Sequence, residues 1–158
     1  MTSKGRSSWP ALLALAIVAV GPAGARERYV WHFAGLRSLQ FGVDGTDDRA
    51  LRIDCNDDGS LSIGGPAFED GAEGDPVTMR VSSTLGSEVL HGDQTEAGDG
   101  MNFDLPVTAR GVALQTLLAG RPLRISQGRN YFTVPGAGAP AKLRRLIGAC
   151  HPAPPGKS

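Results

Sequence analysis

From Arg28 to Leu105 apolar and polar residues alternate in short runs broken by Gly, Pro, Asn and Asp. In Arg28-Tyr-Val-Trp-His-Phe33, Tyr29, Trp31 and Phe33 fall on one side and Val30 and His32 on the other, the two-residue period of a strand. Leu39–Val43 is a second short strand, followed by an Asp44-Gly45 turn. Ala50–Cys55 places Leu51, Ile53 and Cys55 on one face, and Ser60–Ile63 alternates after Asn56-Asp57-Asp58-Gly59. Two alternating runs around an Asp-Gly pair predict a hairpin. Residues 64–75 read as a loop, with Phe68 its one large apolar residue. Val77–Val81 is a strand with Val77, Met79 and Val81 inward, and Leu85–Leu90 is a further candidate. Residues 91–100 are polar and Gly-rich, hence a loop, and Met101–Leu105 alternates again.

The period then lengthens. Residues 111–120 predict a short helix stopped by Gly120 and Pro122. Leu123–Ile125 and Asn130–Val134 flank Gln127-Gly128 as a hairpin. Pro140 suits the first turn of a helix. Leu143, Leu146, Ile147 and Cys150 follow at i, i+3, i+4 and i+7, one apolar face. The pattern predicts about seven or eight short, mainly antiparallel strands: a β-sandwich or partly closed barrel, with a short mid-chain helix and a C-terminal helix against it.

The start of the chain is different. Lys4 and Arg6 precede an apolar run from Ala11 to Val20, then Gly21-Pro22 and Ala23-Gly24-Ala25 before Arg26. A basic start, an apolar stretch and a small-x-small site make a secretory signal peptide, cleaved between Ala25 and Arg26. A membrane anchor is the competing reading, but it needs about 20 apolar residues and this run is about half that. The organisation expected is a signal peptide (1–25), one domain (26–150) and a disordered tail (151–158), in the periplasm or secreted. Cys55 and Cys150 are the two cysteines. In an exported chain they predict a disulfide, although two free thiols or half of a metal site use the same residues. The bond would contribute about 4 kcal/mol in the chain-entropy model.

Charge is balanced overall but not along the chain. Residues 41–106 hold 15 acidic and 3 basic residues, and residues 107–158 hold 8 basic and no acidic residue. Either the halves neutralise one another in the fold, the reading the Gly-rich acidic turns favour, or they mark a charged partner.

Candidate chemistry is sparse. Asp54, Asn56 and Asp58, with Gly59 and Leu61, match the first half of a calcium loop, but Gly65 stands where a bidentate Glu belongs. A solvated hairpin turn uses the same residues. His32, His91 and His151 have no partner at metal-ligand spacing, and Leu85-Gly-Ser-Glu88 is not a nucleophile elbow. Asp47-Asp48, Asp57-Asp58 and Glu69-Asp70 sit in Gly-containing loops, where solvent denies them the shifted acidities of acid–base catalysts. No catalytic residue, metal ligand set or cofactor follows from these patterns. Arg110, Arg121, Arg124, Arg129, Lys142, Arg144 and Arg145 form either an anion-binding face or a solvated one.

Leu51-x-Ile53-x-Cys55, Val77-x-x-Arg80-Val81, Leu123-x-Ile125, Tyr131-Phe132-Thr-Val134-x-Gly136 and Leu143-x-x-Leu146-x-x-x-Cys150 together give a recognisable arrangement. It resembles small periplasmic proteins of the type VI secretion-associated accessory family and, more loosely, the invasion-associated locus B family. The resemblance spans residues 50–150 and implies a non-enzymatic bacterial envelope protein, with no catalytic residues to carry over. The expected function is an exported binding or accessory domain. Its partner is an envelope protein or an anionic envelope component rather than nucleic acid. A calcium-binding exported domain and a secreted hydrolase or hydrolase inhibitor are the alternatives.

Overall fold

Strands with one apolar face must cover it, and this chain does so by curling one sheet around itself and closing it with helices. The computed structural model describes residues 28–69, 71–97 and 100–150, so the segments expected to be a signal peptide and a tail lie outside the described residues. The strands are β1 (Tyr29–Phe33), β2 (Ser38–Val43), β3 (Arg49–Cys55), β4 (Leu61–Pro66), β5 (Pro76–Ser83), β6 (Gly86–Ala97) and β7 (Gly100–Val107). Helix α1 (Val112–Leu118), β8 (Leu123–Gln127), β9 (Asn130–Val134) and helix α2 (Ala139–Cys150) complete the described chain. Every pairing is antiparallel, in the order β1-β2-β3-β4-β7-β6-β5-β8-β9. The sheet is a half-barrel with β1 and β9 as its free edges.

The expected mainly-β class, the mid-chain helix and the C-terminal helix are all present. Of the two architectures predicted, the single curled sheet is the one adopted, and among the described residues it has nine strands rather than seven or eight. Two segments read as loops are strands. Gly64 to Pro66 extend β4, because the Arg52 side chain and the Phe103 ring fill the space that side chains at Gly64 and Gly65 would need. Residues 91–97 extend β6, where the alternation has no apolar beat: Gln94 is the inward residue beside Phe103, between outward Asp93 and Thr95. The first half of β6 pairs with β5 and its end pairs with β7, so this one strand turns the corner of the sheet. Gly92 stands at that corner, close against the β7 backbone at Asp104.

The concave face carries the apolar set that the alternation assigns inward, including Leu39, Leu51, Ile53, Ile63, Met79, Val81, Phe103, Leu105, Leu123 and Ile125. Helix α1 packs on β5, β6 and β8 through Ala113, Leu114 and Leu117. Helix α2 packs on α1 and on β1 to β3, burying Leu143, Leu146 and Cys150 as its spacing predicts. The Cys55–Cys150 disulfide forms, with Cα atoms 5.4 Å apart, and fastens the end of α2 to the end of β3. The Trp31 indole Nε1 donates to the Pro135 carbonyl at 2.8 Å, holding β1 against the chain that follows β9.

Candidate functional site

The topology gives the half-barrel two unlike ends. One is covered by α1 and α2; the other is an open mouth where the 44–48, 67–75 and 128–129 connections meet. At the mouth, between the free edges, lies a cleft of about 320 Å³. Its walls are Tyr29 of β1, Ala50 of β3, Pro66 of β4, Ala67 and Phe68 of the following loop, and Phe132 of β9. Phe132 points inward with Val134, and its ring lies 5.5 Å from Phe68 and 6.4 Å from Phe103. Asp48 and Arg49 mark the polar rim, and the Tyr29 hydroxyl donates to Asp48 Oδ1 at 2.6 Å. Arg49 and Pro66 separate this cleft from a more polar hollow of about 450 Å³ that includes Asp47, Met101 and Asn102. A concave, largely aromatic site with a few polar groups at its edge suits the apolar part of a ligand or partner. The only sequence signal for it is Phe68, a large apolar residue isolated in a polar loop. Phe132 reads as an ordinary inward strand residue, and nothing local says that the neighbouring strand is missing.

On the convex side, β6, β5, β8 and β9 present a polar grid. One row runs Ser87, Ser82, Arg124, Thr133 and the next Val89, Arg80, Ser126, Tyr131. Arg124 opposes the inward Leu123 and Ile125, as the strand period predicts. Its guanidinium carbon lies 3.7 Å from the centre of the Tyr131 ring.

The calcium-loop residues are not brought to one point. The Asp54 carboxylate faces Arg52 Nε at 2.9 Å on β3. Asn56 donates to Ser60 Oγ at 3.0 Å, and Asp58 Oδ1 accepts the Ser60 backbone N–H at 2.8 Å. Arg37 pairs with Asp57 at 2.9 Å and also reaches the Asn56 carbonyl and Cys55 Sγ. Among the described residues no group of three His, Cys, Asp or Glu side chains is placed to hold a metal ion. The residues form a capped hairpin turn.

The Ser60 hydrogen bonds favour the ionised form of Asp58 and lower its pKa below the ordinary value of 3.8. The folded value is the depressed one, so what the cap adds to stability is present at neutral pH and fades as pH falls through that value. An NMR titration should give Asp58 a midpoint below 3.8. A midpoint at or above it would mean that the Ser60 bonds are absent in solution.

The remaining candidates are dispersed. His32 Nδ1 lies 3.2 Å from the Val30 carbonyl on β1, while His91, expected in a loop, stands on β6 with Nδ1 3.0 Å from Thr78 Oγ1. His151 lies outside the described residues. The seven basic residues do not share a face: Arg124 lies on the convex grid and Arg129 at its edge, whereas Lys142, Arg144 and Arg145 project from α2 at the closed end. Arg121 donates to Thr84 Oγ1 at 2.7 Å, also at that end.

Mutual neutralisation of the two halves is not what the topology produces. Asp44, Asp47, Asp48, Glu69, Glu73 and Asp75 collect at the mouth, with Arg28, Arg49 and Arg129 the bases there. Arg37, Arg110, Arg121, Lys142, Arg144 and Arg145 collect at the closed end, with Asp57, Asp58 and Glu88 its acids. The reason is that the acidic residues occupy connections at one end of the strands, whereas α1, α2 and their loops lie at the other.

Comparison with protein families, with curated proteins and with solved structures finds no match for this chain.

Proposed function

We propose that this chain is an exported, non-enzymatic binding domain of the bacterial envelope, and that the mouth cleft receives an apolar group of its partner. The observation that carries this reading is the cleft itself: aromatic walls from Tyr29, Phe68 and Phe132 between two edge strands that do not pair with one another. Binding of this kind needs shape and apolar area rather than a reacting group. The disulfide supports export, because such bonds persist in oxidising compartments. No helix among the described residues is long and apolar enough to cross a membrane. The accessory role in type VI secretion suggested by the sequence resemblance is one form that this function takes.

The two tyrosines allow a direct test, since Tyr29 lines the cleft and Tyr131 lies on the convex face. A photoreactive phenylalanine analogue is placed at each in turn in the full chain, expressed in its native envelope and irradiated. The expected result is one discrete adduct from position 29, competed away by excess unlabelled chain and absent from position 131. Identical patterns from both positions, or none that competes, would remove the cleft as the binding site.

A further inference from the structure

The convex face of β6, β5, β8 and β9 has a feature that the cleft does not explain. Its outward positions include Arg80 and Arg124, and the carboxylate on it, Asp93, stands opposite Pro76, two outward positions along β6 from Val89, the partner of Arg80. Arg80 stands opposite Ser126, and Arg124 opposite Ser82, so the two arginines are diagonal neighbours. Such positions lie about 7–8 Å apart. Among the described residues the ion pairs are Arg37–Asp57 and Arg52–Asp54, so neither of these two guanidinium groups has an acidic partner. Salt screens charges over about 8 Å, so two groups this close still repel and favour a shared anionic ligand.

The arginines are also prepared for one. Arg124 lies over the Tyr131 ring at 3.7 Å, which fixes the plane of its guanidinium and leaves the donor edge free for a carboxylate. Arg80 Nη1 reaches Ser87 Oγ only at 3.5 Å, a weak contact that a ligand easily replaces. Around them stand the short hydroxyls of Ser82, Ser126 and Thr133, and a shallow hollow of about 260 Å³ lies beside Arg80 and Val89.

We infer that this face binds an acidic polysaccharide. Carboxylates of successive units pair with Arg80 and Arg124, and sugar hydroxyls meet the serine and threonine hydroxyls. A bilayer fits less well, because it rewards buried apolar side chains and this face offers only Val89 and a Tyr131 ring already covered by Arg124. The inference is independent of the cleft, which opens at the end of the barrel.

Polygalacturonate is the probe, titrated against the purified full-length chain with uncharged dextran as control. The expected result is binding to polygalacturonate alone, weakening as salt rises. An Arg80→Gln/Arg124→Gln double variant should bind roughly tenfold or more weakly, because charge-assisted contacts are lost. An Arg144→Gln/Arg145→Gln variant on α2 should stay within about twofold of the parent, its charges lying on another surface. Circular-dichroism melts establish that both variants fold. Equal loss in both would assign the binding to overall charge and overturn the inference. So would equal binding to dextran, no binding to polygalacturonate, or binding confined to phosphatidylglycerol vesicles.

Discussion

Replacing Cys55 and Cys150 together by alanine should lower the free energy of unfolding by about 4 kcal/mol. The two residues lie 95 apart in sequence, so the bond removes much of the freedom of the unfolded chain. It also holds an element that lies outside the sheet. Helix α2 has 12 residues, a length that is marginal in isolation, and no ladder hydrogen bond ties it to a strand. Its anchors are the bond at its end and the stripe of Ala139, Leu143 and Leu146. When α2 loosens, the floor of β1 to β3 is exposed with it. Urea unfolding of the full chain, with and without the two substitutions, reads the loss as a lower midpoint and a lower extrapolated free energy of unfolding. A difference below about 1 kcal/mol would mean that apolar packing alone seats the helix.

Gly92→Ala should cost about 3 kcal/mol or more. A methyl group there would sit 2.0 Å from the Asp104 carbonyl oxygen and 3.0 Å from the Leu105 Cα, both backbone atoms. Neither strand has room to retreat. Gly92 is paired with Val77 of β5 on its other side, and Asp104 is paired with Gly64 of β4. Relief requires breaking a ladder at the one strand that joins the two halves of the sheet. The same urea measurement tests this, and a cost within 1 kcal/mol of zero, a normal surface value, would show that the strands do not approach so closely in solution.

Much of this fold is legible in the sequence, and the parts that are not share a cause. The runs at 50–55, 77–81, 101–105 and 143–150 announce their elements because each has an apolar face that the structure buries. The end of β6 does not, because its inward residue is Gln94 and its pairing depends on β7 rather than on local preference. Gly64 and Gly65 read as turn residues, and only the approach of Arg52 and Phe103 from other strands makes them part of β4. Among candidate sites, the Asp54–Asp58 turn is legible as a turn, and its resemblance to a cation loop ends once Arg52, Arg37 and Ser60 take up its groups. Apart from Phe68, the cleft leaves no signal along the chain. It exists because β1 and β9, about a hundred residues apart, face one another without pairing, and strand order is not encoded in any single strand. The grid around Arg80 and Arg124 is half legible: the period turns both side chains outward, but only the register places them diagonally.

Binding at the cleft depends most directly on Phe132. Phe132 is half-buried and forms the β9 wall, facing Phe68. Phe132→Ser removes the aromatic surface while leaving the strand and its ladder partner Ile125 in place. The decisive measurement is the yield of the position-29 photo-adduct in this variant, with a cooperative melt as evidence that it folds. The adduct should disappear while the protein remains folded. An adduct of undiminished yield would contradict binding at the cleft and place the binding surface elsewhere.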